Sequence, residues 1–184
     1  KIWSSGSVQR SSGVGATIGS PWPTFNDPYY SLRAPNTTID GDTNGDGEPD
    51  ILIRGLDGWY TLVIERENNT IKNLAIASLG ISGKYASGNT IRACYIGVGV
   101  DGATDATPGD SAGIEIGRGA HNNLIVDNVI AGHSFASSEK IGAGIVLFQG
   151  AHHNQVRENW IGLDAYRNPR GNEVGVLITQ GAYA

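Results

Sequence analysis

The chain has 184 residues, no methionine and a single cysteine, Cys94. One thiol excludes an internal disulfide framework and a cysteine-based zinc site. Charge is scarce, at 17% of residues against roughly 25% in an ordinary soluble domain. What charge there is leans acidic, 13 Lys and Arg against 18 Asp and Glu. That balance argues against nucleic acid as a partner, because such affinity comes largely from cations on phosphates. Long apolar runs are absent too: stretches such as Gly144–Phe148 break well short of the ~18 residues needed to span a bilayer. A start at Lys1 without a leader segment reads as a mature or excised segment. Low charge with abundant Gly, Asn, Ser and Thr fits an extracellular or cell-surface protein.

What is present is repetition. "GIEIGRGAHNNLIVDNVIAG" begins at Gly113, "GIVLFQGAHHNQVRENWIG" at Gly144 and "GVLITQGAYA" at Gly175, two intervals of 31 residues (144 − 113 and 175 − 144). A second pattern, an Asn opening a short apolar alternation, occurs four times: Asn69–Ile76, Asn89–Ile96, Asn123–Ile130 and Asn154–Ile161. The first residue is always Asn, the third Ile or Val and the eighth Ile, and Asn36–Ile39 is a degenerate copy. Apolar residues fall two apart, break and resume, which is the signature of short strands joined by turns. Another strand precedes the later copies, with Ile114 and Ile116, Ile145 and Leu147, and Val176 and Ile178.

A unit this small cannot bury its inward face alone, so copies must stack. Stacking at about 4.8 Å predicts interior columns of Ile71, Ile91, Ile125 and Val156, and of Ile76, Ile96, Ile130 and Ile161. It places Asn128 over Asn159 as an amide ladder at a turn, where inward polar groups need partners. The expected fold is all-β, a parallel β-solenoid.

The phrases "NNTI", "YIG" followed by "VDGAT", "GNEVGVLI" and "GAHNNLI" resemble the repeats of secreted right-handed parallel β-helix proteins of the pectate-lyase-like superfamily, over Asn36–Ala184. The resemblance implies a right-handed parallel β-helix at 36–184 but no single activity, since the superfamily spans lyases, hydrolases, epimerases, tailspikes, adhesins and passive surface proteins. It implies, for a lyase, acidic calcium ligands stacked on an outward strand face with an Arg or Lys base. Here the outward residue Glu115 has Val146 and Leu177 as stacked equivalents, which is no carboxylate column. Residues 1–35 do not repeat. Ser and Gly, then alternating prolines and aromatics, read as an N-terminal arm and aromatic cap over the end of the solenoid.

The sharpest chemical motif is "DTNGDGEPD", Asp42–Asp50. Asp42, Asn44, Asp46 and Asp50 offer side-chain oxygens, Glu48 a main-chain carbonyl and Gly47 a turn, a set suited to one structural Ca2+. It resembles EF-hand-like and thrombospondin-type calcium loops, although Ile53 at the twelfth position excludes a full EF-hand. Other outward columns read Lys72, Arg92, Val126, Arg157 and Asn73, Ala93, Asp127, Glu158, where Arg157 is placed to pair with Asp127 or Glu158 as a surface ion pair. Asp101, Asp105 and Asp110 share one Gly-rich loop and do not read as a catalytic set. Gly132–Ala136 mimics a nucleophile elbow without the helix an elbow requires. His121, His152 and Tyr183 share a repeat position and read as a stacked ladder, with no third metal ligand evident. Asn36 and Asn68 open glycosylation sequons.

The seventh strand position reads Ala75, Tyr95, Val129, Trp160 and is expected to face outward as an apolar stripe, against a covering loop, the aromatic N-terminal segment, another chain or a sugar. The chain stops mid-repeat at Ala184, leaving an edge able to accept a strand. The expectation is a non-catalytic extracellular structural solenoid, able to self-associate head to tail through open ends. The alternatives are a polysaccharide lyase or hydrolase, or a fragment of one, and a glycan-binding module.

Overall fold

A computed structural model of the chain describes residues 30–54, 60–106, 112–134 and 142–183. They form an all-β parallel solenoid, with no helix among them. Each coil contributes three short strands. The first holds β1 (Tyr30–Leu32), β2 (Thr38–Asp40) and β3 (Leu52–Ile53), and the second β4 (Leu62–Ile64), β5 (Thr70–Lys72) and β6 (Ala75–Ile76). The third holds β7 (Leu79–Ser82), β8 (Thr90–Arg92) and β9 (Tyr95–Ile96). The fourth holds β10 (Ile114–Gly117), β11 (Leu124–Val126) and β12 (Val129–Ile130), and the fifth β13 (Ala143–Leu147), β14 (Gln155–Arg157) and β15 (Trp160–Ile161). Another coil opens with β16 (Val174–Ile178). First strands stack into a six-stranded sheet, and second and third strands into two five-stranded sheets, all parallel. The stacking starts at Tyr30, inside the stretch read as arm and cap, because β1 pairs with β4. The rest of that arm, residues 1–29, lies outside the described residues, as do Asp110, Phe135, Ala136 and Ala184.

The register is the one the repeat dictates. Ile39, Ile71, Ile91, Ile125 and Val156 lie over one another in the second sheet. Ile53, Ile76, Ile96, Ile130 and Ile161 do so in the third. With Leu32, Ile64, Leu79, Ile81, Ile114, Ile116 and Ile145 from the first sheet they form one continuous core. A β-branched side chain suits a pleated surface on which identical neighbours pack above and below.

The conserved-in-repeat Asn that opens each second-sheet segment is interior, and it makes a ladder of its own. The backbone N–H of Asn69 donates to Asn89 Oδ1 at 2.8 Å, that of Asn89 to Asn123 Oδ1 at 2.9 Å, and that of Asn123 to Asn154 Oδ1 at 3.0 Å. Asn123 Nδ2 returns to the Ala86 carbonyl at 3.1 Å. These amides satisfy backbone groups that the turn leaves without strand partners, in a place water does not reach. The Asn128–Asn159 ladder forms as expected, Nδ2 to Oδ1 at 2.9 Å, and ends where the Cys94 N–H donates to Asn128 Oδ1. Below it Cys94 and Leu74 fill the same position as apolar residues.

Candidate functional site

Between the second and third sheets the chain turns through a single left-handed residue: Asn73, Ala93, Asp127 and Glu158, with φ of 49°, 50°, 54° and 58°. Asn and Asp tolerate that conformation, while Ala and Glu adopt it at a cost of about 1 kcal/mol that the stacked ladders offset. The turn aims Asp127 and Glu158 outward on successive coils. Two residues on, the third sheet presents the column Leu52, Ala75, Tyr95, Val129, Trp160. This outward stripe is largely covered. Ala75 and Val129 are buried, Tyr95 is half-buried and Trp160 is 36% exposed.

The covering comes from loops. Gly97, at φ 78°, lets the chain leave β9 beneath the next coil: a Cβ there would sit 2.1 Å from the Ala131 carbonyl oxygen. The 97–106 segment doubles back through a Val98–Asp105 bridge, and the 162–170 segment through a Leu163–Pro169 bridge. The Ala165 N–H donates to the Gly102 carbonyl at 3.0 Å. Arg170 Nη1 donates to the Ala103 carbonyl at 2.6 Å, and Arg170 Nη2 lies 3.6 Å from Asp105 Oδ1. Val98, Val129 and Ala131, with Tyr95 and Ala165, form a small apolar cluster outside the main core.

Beside this cluster opens a cleft of about 240 Å3, lined by Gly47, Glu48, Ala93, Tyr95, Asp127, Asn128, Val129, Glu158, Trp160 and Ala165. One wall is the tip of the 41–50 loop, which reaches from the first coil so that Glu48 accepts a hydrogen bond from the Tyr95 hydroxyl. Burial and that carboxylate acceptor push the Tyr95 phenol up, so it stays a donor. Glu158 is paired with Arg157 at 2.9 Å, and the Arg167 guanidinium lies 4.6 Å from the centre of the Trp160 ring. Of the two carboxylates placed to meet Arg157, only Glu158 does so. Asp127 makes no ion pair among the described residues.

The other residues the sequence singles out lie apart from this cleft. Asp42, Asn44, Asp46 and Asp50 organise their own exposed loop. Asp42 accepts from the Gly45 and Gly47 N–H groups at 2.6 and 2.9 Å, Asn44 from Asp46, and Asp46 from Glu48. Asp50 accepts from the Thr43 hydroxyl and N–H, both at 2.7 Å, which holds its carboxyl below the usual range. Among the described residues no group of three or more His, Cys, Asp or Glu side chains converges as a metal centre. Glu115 has Gly80 and Val63 below it and Val146 and Leu177 above, so that column holds one carboxylate, which accepts from Tyr60. Lys72 pairs with Asp40 at 2.6 Å. Burial works against ionisation of Asp40, but Lys72 and Asn73 outweigh it and keep the carboxyl low. Asp101 closes its own turn on Ala103 and Thr104.

His121, His152 and Tyr183 stack as the spacing predicts, with ring centroids 4.8 and 5.4 Å apart. His153 adds a contact the spacing did not suggest, Nδ1 to His152 Nδ1 at 2.8 Å. The sequon residues Asn36 and Asn68 are exposed at one turn of successive coils, both left-handed at φ 54° and 57°. Their hydroxyl partners Thr38 and Thr70 belong to a strand column that continues with Thr90. Cys94 is buried, and burial pushes its thiol up to about 12, so it is an inert core residue.

The reach of Glu48 across two coils to Tyr95 carries no signal in the sequence, because it depends on where a loop lands. No family model, curated protein or solved structure matches the chain.

Proposed function

We propose that this chain is a rigid, extracellular structural solenoid of the secreted β-helix type that binds carbohydrate without transforming it. The observation that carries the reading is the cleft, in which Tyr95 and Trp160 stand on alternate coils of one column beside Glu48, Asp127 and Glu158. Aromatic faces stack on the apolar faces of sugar rings, and carboxylates accept from sugar hydroxyls. Two of the three carboxylates are engaged, Glu48 by Tyr95 and Glu158 by Arg157, which suits holding a ligand better than trading protons with it. Trp160→Ala is expected to weaken glycan binding, read by affinity electrophoresis in polysaccharide gels, with the fold intact by circular dichroism. Release of reducing ends by the native protein, abolished in Asp127→Asn, would establish the hydrolase alternative instead.

Self-association is a second reading, favoured by β16. Val176 and Ile178 continue the interior columns of Ile145 and Leu147 yet are 44% and 58% exposed. A second copy docking head to tail would cover them. On that reading, sedimentation of the 184-residue chain shows concentration-dependent assembly that Ile178→Asp abolishes. A monomer at every concentration removes it.

A further inference from the structure

The cleft's position on the solenoid says more about its ligand than its composition does. We propose, resting on the carbohydrate-binding reading above, that the ligand is a linear, uncharged β-1,4-linked glycan lying along the solenoid axis, with one sugar ring over each coil.

The direction follows from the column. Tyr95, Val129 and Trp160 belong to three successive coils in parallel register. Strands in a sheet repeat at about 4.8 Å, so the two aromatic residues stand roughly 9.6 Å apart along the axis. One strand spacing is close to the advance of one pyranose in an extended β-1,4-linked chain. Such a chain places one ring at Tyr95, one against the Asp127–Asn128 turn beside the buried Val129, and one at Trp160. An α-1,4-linked glucan curls and leaves this straight track after a ring or two. The turn column beside it repeats with the same period, so Asp127 and Glu158 meet hydroxyls on adjacent rings.

The charge follows from the lining. Glu48, Asp127 and Glu158 line the cleft, and no Lys or Arg does so among the described residues. The neighbouring cations are committed at the rim, Arg157 on Glu158 and Arg167 over the Trp160 ring. A polyuronate would set its own carboxylates against Asp127, whereas a neutral sugar offers that oxygen a donor. The geometry therefore selects against acidic polysaccharides.

The test is isothermal titration of the full chain with cello-oligosaccharides and N-acetylated chitin oligosaccharides of two to six residues, maltohexaose and hexagalacturonate. The proposal expects affinity to climb from dimer to trimer in a β-1,4-linked neutral series and then level off. It expects a loss of roughly five-fold in Trp160→Ala, the size of one aromatic contact. Asp127→Asn, which tolerates the left-handed turn, should relax the exclusion of hexagalacturonate. Equal binding of maltohexaose, or a dimer as tight as a hexamer, overturns the axial placement. Hexagalacturonate binding as tightly as the neutral series overturns the charge selection. In either of those cases the protein still binds carbohydrate, whereas silence across all four ligands overturns the carbohydrate reading itself.

Discussion

The interior of the solenoid and the outward face of its third sheet are built on the same strands but obey different rules. Inside, one position repeats one residue type: Ile39, Ile71, Ile91 and Ile125 differ by nothing, and Asn69, Asn89, Asn123 and Asn154 hand a hydrogen bond from coil to coil. Outside, the column runs Leu52, Ala75, Tyr95, Val129, Trp160, and each member meets something different. A loop from the first coil reaches Tyr95, a folded-back loop covers Val129, and Arg167 lies over Trp160. The contrast teaches that stacking makes a position, while the loops that insert between coils decide what chemistry the position has. A change in the interior should therefore be felt as stability, and a change on the outer column as binding.

The sharpest way to break that contrast is Asn123→Ala. It strips the acceptor from the Asn89 N–H and from Asn89 Nδ2 and takes one of two donors from the Ala86 carbonyl, all in the buried core. Denaturant unfolding should show a loss of about 3 kcal/mol, the sum of two or three stranded polar groups. A loss no larger than that of an exposed Asn would mean the ladder is ornamental. The next effect belongs to the loop that links both regions. We propose that the Asp42–Asp50 loop holds one Ca2+, which would stiffen the wall carrying Glu48. Calcium at a hundred times its Kd should then stabilise the chain by about 2.7 kcal/mol, and thermal unfolding indifferent to chelator rejects the site. Trp160→Ala should cost less than about 0.5 kcal/mol of stability, as expected of a surface side chain, while weakening glycan binding.

The smallest effect concerns the histidine ladder. Partial desolvation between stacked rings, and then repulsion from His121 and His153, lower the pKa of His152 below its ordinary 6.5. The unfolded chain therefore binds a proton at this residue more readily than the native one does. Stability is full above pH 6.5 and falls as the pH drops toward the lowered native value. His152→Gln should flatten that part of the pH–stability curve, with the rest of the profile unchanged.

The sequence by itself determined the coil, its register and its core. An Asn at the head of each segment, Ile or Val at the third position and Ile at the eighth leave a single stacking that keeps those columns inside, although the segments are spaced unequally, since a slip of one residue would turn each of them to the other face. The Asn128–Asn159 and His121–His152–Tyr183 columns were legible for the same reason: whatever shares a repeat position must lie one strand spacing apart. The longer ladder through Asn69 and Asn123 was visible only as a repeated letter, because a buried amide and a turn-forming one look alike until the backbone shows which N–H groups lack partners. The cleft was legible only in its floor. The Tyr95–Val129–Trp160 column and the Asp127 and Glu158 turns lie in the repeats, whereas the wall comes from loops that do not repeat, and only the tertiary structure brings Glu48 to Tyr95 and Ala165 beside Trp160. Periodicity fixes distances along the axis. Where an insertion folds back across the surface is settled by packing, and packing has no period to read.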